Sequence, residues 1–461
     1  MASNSTKIAD EAAIEGFGAG LRGQLLRPSD DGYDAARTLW NAMIDKRPAL
    51  IARCAGTADV IRSVGFARDQ RLLVAVRGGG HNVAGNSVCD GGLMIDLSPM
   101  KGIRVDPVRR TARAEAGCTW RDLDHECQAF GLATTGGVIP TTGIAGLTLG
   151  GGIGWLMGKH GLSCDNLLSV DLVTADGRLV MASTEDNADL FWGLRGGGGN
   201  FGVATSFEYR LHPIDQVLGG MVVHPLGKAR EVLRFYRDFA PAAPDELGTM
   251  AALLTSPEGE KILALLVCYC GSLMDGARIL RPLREFGPPL ADQIGPMPYT
   301  QLQVMLDAGF PPGMQNYWKS DFLRALDDDA IDTIVSRFEQ VPSPTSAVAI
   351  ESFGGAMSRV PDDATAFNHR HTPFNLLIVG IWPDPSNNDA HLRWVRDYWD
   401  AMQPFSSGAV YVNYLGQEAD EGAGRIKAAY GSTKYEKLVM LKNKYDPTNL
   451  FRLNQNIKPT A

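Results

Sequence analysis

The apolar run Leu72-Leu73-Val74-Ala75-Val76 opens directly into Arg77-Gly78-Gly79-Gly80-His81-Asn82, a junction that few folds can use. Five apolar residues in a row read as a buried strand. Three glycines at its end let the backbone approach a partner closely, since glycine has no Cβ and tolerates φ > 0. Successive N–H groups in such a loop can form a nest for an anion. The loop then presents a histidine, a nucleophile when neutral. The combination points to a phosphate cradle beside a reactive imidazole, hence to a bound nucleotide cofactor. Read alone, it is equally consistent with a glycine turn and a hydrogen-bonded histidine. Upstream, strand 49–54 and a helix over 58–69 capped by Thr57 complete a β-α-β unit.

Two more glycine-rich blocks follow. The first runs from Gly136 through Gly143 and Gly146 to Gly150-Gly151-Gly152-Ile153-Gly154-Trp155. So many glycines predict neither helix nor strand there. The second is Arg195-Gly196-Gly197-Gly198-Gly199-Asn200-Phe201-Gly202. It spells G-x-G-x-x-G, but a predicted helix precedes it and a strand (203–211) follows. The dinucleotide fingerprint needs the reverse order, so a Rossmann site is rejected and the glycines are kept as a third wall segment. Between the blocks, Thr119 and Asp122 predict a capped helix, and Asp176-Gly177 a hairpin joining 167–174 to 178–182. A further helix is predicted over 33–44.

Beyond Pro213 the glycine clusters thin out. Strands are predicted over 219–224, 262–269, 347–353 and 374–381, and helices over 228–239, 273–286, 330–338 and 390–402: a second, α+β domain. A strand over 410–414 would place Val412 and Tyr414 on one face and Tyr411 and Asn413 on the other.

With 461 residues, the chain has room for two or three domains. A net charge of −8 without a basic block gives no electrostatic case for nucleic acid. There is no apolar run long enough to span a membrane, and Met1 to Lys7 lacks the apolar core of a leader. The seven cysteines are scattered with no Cys-x-x-Cys pair. Cys268 and Cys270 read as neighbouring thiols on one sheet face rather than as metal ligands. No metal is expected, and a reducing, cytoplasmic location is.

The segments 77–82, 136–155, 195–205 and 445–457 together resemble the FAD-linked oxidases of the vanillyl-alcohol oxidase / p-cresol methylhydroxylase superfamily. Within it the chain is similar to the berberine-bridge-enzyme-like branch, and in size to its bacterial members. The resemblance implies an α+β fold: a split FAD domain of p-cresol methylhydroxylase type (residues 1–214 and 409–461) and an inserted substrate domain (215–408) whose sheet covers the flavin. It implies that His81 bonds covalently to the flavin. It also implies cofactor contacts from Arg77, Gly78, Gly79, Gly80 and Asn82; from Gly137, Thr141, Thr142, Gly143, Gly146, Leu147, Gly152, Gly154 and Trp155; and from Gly202, Val203, Asn413, Asn454 and Asn456. Many relatives carry a second tether, a cysteine at the position of Ile139, so a single covalent link is expected here. Leu147 stands where many relatives have histidine. Thr142 stands where many have valine, at a position linked to oxygen access.

Hydride removal next to O or N is helped by a base for the O–H or N–H proton. Glu351, on a mostly apolar strand, is the first candidate. The cluster Tyr317-Trp318-Lys319 supplies Tyr317 and Lys319, and the tail supplies Tyr414. The expected activity is oxidation of a small organic alcohol or amine, with O2 taking the electrons. The alternatives are a dehydrogenase with another acceptor and a carbohydrate oxidase. The expected partners are a small-molecule substrate and O2, with no nucleic acid or membrane, in a monomer or homodimer.

Overall fold

The structure is a computed structural model that describes residues 10–416 and 422–460; the N-terminal segment read above for a leader lies outside them. Leu50–Arg53 and Val74–Arg77 both pair in parallel with Leu93–Asp96, which lies between them, and Gln24–Leu26 closes the edge. Helix Thr57–Asp69 is the crossover of the expected β-α-β unit. Its cap differs from expectation, because the N-cap is Gly56 and Thr57 is the first helical residue. The Asp59 carboxylate instead accepts from the amides of Arg22, Gly23 and Ala55 at 2.8–2.9 Å. A second, antiparallel sheet of five strands runs Ile103–Asp106, Thr111–Glu115, Val203–Arg210, Leu167–Val173, Leu179–Ser183. The Asp176-Gly177 hairpin and the Thr119/Asp122 capping box are both present.

The middle of the chain forms an antiparallel sheet of eight strands. Its path is Ala291–Asp292, Gln216–Pro225, Lys261–Tyr269, Leu247–Thr255, Ala347–Ser352, Phe374–Trp382 and Gln315–Leu323, with Gly295–Pro298 also paired to Gln216–Pro225. Helices Ala229–Phe239, Asp328–Phe338 and Asn388–Met402 cover one face. Alternation along each strand divides the side chains. Ala251, Leu253, Val348, Ile350, Leu376 and Ile378 enter the core beneath the helices. Met250, Ala252, Leu254, Ala349, Glu351, Leu377 and Val379 face the other way, into a cavity. Both faces are buried, which is why Phe374–Trp382 reads as an almost unbroken apolar run. The last segment returns to the first core, where Val410, Leu438, Leu441 and Ile457 pack with Val170, Phe191 and Phe207.

Several expectations are corrected. Glu11–Ala19 is a helix that the sequence reading omitted. The helix expected over 33–44 stops at Arg37, because distant backbone takes the next amides: Trp40 N donates to Gly80 O and Ala42 N to Met314 O. The glycine block 136–155 does contain a helix, Ile144–Leu149, with glycines at both caps and only Gly146 inside. Residues 410–414 are not a strand; Val412–Tyr414 is a single 3₁₀ turn, closed by Tyr414 N on Tyr411 O. The face assignment made for Val412, Asn413 and Tyr414 therefore lapses. Strands Leu247–Thr255 and Gln315–Leu323 were also not anticipated.

Candidate active site

The glycine segments and the uncovered face of the eight-stranded sheet enclose a cavity of about 340 Å³. The glycine wall is a close backbone contact. A Cβ on Gly79 would lie 2.4 Å from Gly143 N, and one on Gly143 the same distance from Gly79 N. Replacing Gly143 by alanine is therefore expected to force the two loops apart, at about 1–3 kcal/mol. It would show as a lower thermal midpoint and a lower bound-cofactor content of the purified protein. Gly78, Gly79, Gly80, Asn82, Gly137, Thr142, Gly143, Gly146 and Leu147 all line the cavity, as do Gly202, Val203, Asn413 and Asn454.

His81 is buried in this wall. Its ring stacks on Trp40 at 4.1 Å, and its Nε2 has no hydrogen-bond partner. Burial lowers its pKa to about 4, so the imidazole is neutral and nucleophilic near pH 7. Asn41 pins the loop to the sheet: its Nδ2 donates to Val83 O and Asn316 O, and its Oδ1 accepts from Asn316 N. Trp40 also meets Trp318 edge-on at 5.7 Å.

Across the cavity, Glu351 is only 5 % exposed. Asn375 Nδ2 donates to its Oε2 at 2.8 Å and Tyr414 OH to its Oε1 at 3.1 Å. Asn375 Oδ1 in turn accepts from Ser320 Oγ at 2.9 Å. Desolvation raises the Glu351 pKa to about 7, against the opposing pull of those two donors. Burial and the neighbouring carboxylate push the Tyr414 phenol well above its ordinary value. The pair can thus hold or take up a proton near neutral pH while Tyr414 stays protonated.

Tyr317 and Lys319 are not in the cavity. Strand alternation turns them toward the helices, where Tyr317 joins the core and the Lys319 ammonium sits 4.9 Å from the Trp399 ring. Trp318, between them, faces the cavity. Tyr317→Phe is accordingly expected to change kcat/KM by less than about threefold. Trp318→Ala, which opens the wall, should raise KM markedly; steady-state kinetics on both variants checks this.

Arg77, Thr141, Gly152, Gly154, Trp155 and Asn456 also lie outside the cavity lining. Arg77 is a strut behind the loop, donating to Ala36 O. Thr141 is exposed. Gly152 N donates to Tyr411 OH, and a Cβ on Gly154 would lie 1.7 Å from Gly136 O. Trp155 packs in a separate apolar cluster, and the buried Asn456 Oδ1 lacks a partner. The sequence reading missed Trp40, Asn375 and Tyr411. Tyr411 OH accepts from Asn413 Nδ2 at 2.6 Å, and the same Nδ2 donates to Leu147 O at 3.0 Å. Asn375 could have been found only from the register that sets it opposite Glu351. None of the seven cysteines lines the cavity, whereas Ile139 does. Cys118 is fully buried, and burial pushes its thiol up to about 12.

The residues present fit a flavin dinucleotide. A cavity wall of glycine backbone suits close approach of a pyrophosphate, and the partnerless His81 Nε2 and Asn454 Oδ1 stand in the same wall. A cavity with a glycine cradle on one wall and a buried carboxylate on the other is the arrangement of an enzyme that holds a nucleotide cofactor against its substrate. Family comparison agrees. Residues 48–183 match the FAD binding domain and 410–458 the domain described as berberine and berberine like. An FAD-linked oxidoreductase of Dictyostelium discoideum is 33% identical over 464 residues, covering 100% of this chain and 99% of that protein. The (R)-6-hydroxynicotine oxidase of Paenarthrobacter nicotinovorans is 30% identical, covering 95% and 97%. The crystal structure of 6-hydroxy-D-nicotine oxidase from Arthrobacter nicotinovorans superposes with a TM-score of 0.87 at 30% identity, covering 95% and 98%. The chain belongs to the FAD-linked oxidoreductases of the berberine-bridge-enzyme-like family, with the p-cresol methylhydroxylase type of FAD fold.

Proposed function

We propose that this enzyme oxidises a small organic alcohol or amine of the alkaloid or secondary-metabolite kind, with O2 as final electron acceptor and H2O2 as product, and that FAD is held by a single covalent bond to His81. The observation that carries the reading is Glu351: a buried carboxylate with a pKa near 7, facing the cavity whose other wall is the His81 cradle. Bound FAD supplies the two-electron acceptor for the substrate hydride. Glu351 takes the O–H or N–H proton as the hydride leaves. Tyr414 and Asn375 hold its two oxygens, so that the carboxylate has one orientation toward the substrate. The apolar sheet face keeps water from the reacting bond. Stacking on Trp40 fixes the plane of the His81 ring, and burial keeps that ring neutral for bond formation. Ile139 at the position of the second tether supports a single link. The naming of one relative as a hydroxynicotine oxidase supports the substrate kind.

The test is anaerobic mixing of the yellow holoenzyme with a panel of alcohols and amines, followed by admission of air. Bleaching of the flavin band by a panel member, then rapid recovery with stoichiometric peroxide, is the expected result. Bleaching with recovery only on adding an artificial acceptor would make the protein a dehydrogenase.

A further inference from the structure

We infer that the His81–flavin bond forms only once the eight-stranded sheet has closed over the glycine-histidine loop, and that Trp40 and Asn41 are the positioning residues that couple the two events. This rests on the covalent reading of His81.

Trp40 and Asn41 hold the loop with one set of contacts and the sheet with another. Toward the loop, the Trp40 ring lies against the His81 ring at 4.1 Å, 18° from parallel. Trp40 N donates to Gly80 O at 3.2 Å, and Asn41 Nδ2 to Val83 O at 3.0 Å. Toward the sheet, Trp40 Nε1 donates to Phe310 O at 3.2 Å, and Trp40 O accepts from Gly313 N at 3.1 Å. Asn41 grips both backbone groups of Asn316, at the start of strand Gln315–Leu323. Its Nδ2 donates to Asn316 O at 2.9 Å, and its Oδ1 accepts from Asn316 N at 3.0 Å. Ala42 N adds a bond to Met314 O at 2.9 Å.

Packing repeats the pattern. Trp40, stacked on His81, and Val83, two residues beyond it, share an apolar cluster with five buried residues of the sheet: Trp318, Ala347, Leu377, Val379 and Ile381. Without the sheet, the indole loses its cover, its Nε1 acceptor and its edge contact with Trp318 at 5.7 Å. An indole so released regains its rotamer freedom, and the imidazole stacked on it loses its fixed plane. His81 would also regain water, whereas burial now keeps it neutral. A reacting group about 1 Å out of place can react roughly 10²-fold more slowly. Attachment removes one hydrogen from the imidazole and one from a methyl group of the flavin ring, joins that nitrogen to that carbon, and reduces one O2 to H2O2. The cofactor is thus fixed only in a chain whose substrate wall is already in place.

The test uses the full chain purified from flavin-limited cells and incubated with increasing FAD in air. Flavin that stays with the acid-precipitated pellet gives the attachment rate. Its dependence on FAD concentration separates the maximal rate from cofactor binding. Trp40→Ala and Asn41→Ala are each expected to lower the maximal rate at least about tenfold, with the half-saturating FAD concentration within about twofold of wild type. Trp318→Ala weakens the contact from the sheet side alone and should slow attachment at least about threefold. Trp40→Phe keeps a ring against His81 but loses the bond to Phe310 O, so its rate should fall between those of Trp40→Ala and wild type. Asn41→Ala and Trp318→Ala decide the matter if Trp40→Ala does not fold. Attachment by either of these two at the wild-type rate, or a loss confined to FAD binding, would overturn the inference and leave the His81 bond standing. A wild-type chain that attaches no flavin would overturn both.

Discussion

Glu351→Gln is expected to lower kcat/KM by about 10²–10⁴-fold, the range a positioned general base contributes. Glutamine keeps the shape and one acceptor for Asn375 and Tyr414 but cannot take a proton. The wild-type pH profile should rise with pH through about 7, where the carboxyl ionises, and level off above it; the variant should lack that inflection. Stability should move the other way. The folded-state pKa lies above the ordinary carboxyl value of 4.5, so the folded protein binds the extra proton between those pH values. Stability from this group is therefore present at low pH and lost as pH rises toward 7, by about 3 kcal/mol in order of magnitude. Thermal midpoints of wild type and variant between pH 5 and 8 measure this: the wild type should decline more steeply. A variant that keeps both full activity and the inflection would place the base elsewhere.

His81→Ala is expected to convert a flavin that stays with the acid-precipitated protein into one released wholly to the supernatant. In the wild type, one flavin mass should appear on the digest peptide containing His81 and none on any cysteine peptide. The geometry makes the cysteine outcome sharp, since all seven thiols lie outside the cavity lining and the tether position is Ile139. Flavin in the wild-type supernatant would leave the fold and family standing and remove the covalent bond. A flavin mass on Cys118 would require a rearrangement of the 118–143 region, where Cys118 is now sealed behind the loops.

The amino-acid order alone determined a good deal. Local chemistry marks strand Val74–Arg77 and its glycine-histidine exit, the Thr119 cap, the Asp176-Gly177 hairpin, and the longer helices and half of the strands of the middle segment, because each is written in neighbouring residues. Glu351 was legible too, as a charged residue on a mostly apolar strand, to be found either at an edge in solvent or facing the cofactor, and it lines the cavity. Tertiary structure decided what depends on pairing and on facing. Gln315–Leu323 mixes Asn, Lys, Ser and Asp with aromatics, all buried, so no alternation of polarity revealed its register. Only its pairing with Phe374–Trp382 turns Trp318 to the cavity and Tyr317 and Lys319 to the helices. The Trp40 stack on His81 joins residues 41 positions apart through a chain that leaves its helix early to bond with distant backbone. Asn375 meets Glu351 through cross-strand register, and Tyr414 reaches it from the tail through a 3₁₀ turn where a strand was expected. Short-range preferences are set by a residue and its neighbours along the chain. A site assembled from segments far apart in the chain is set by long-range pairing, which burial and backbone hydrogen bonding select only when the whole chain is folded.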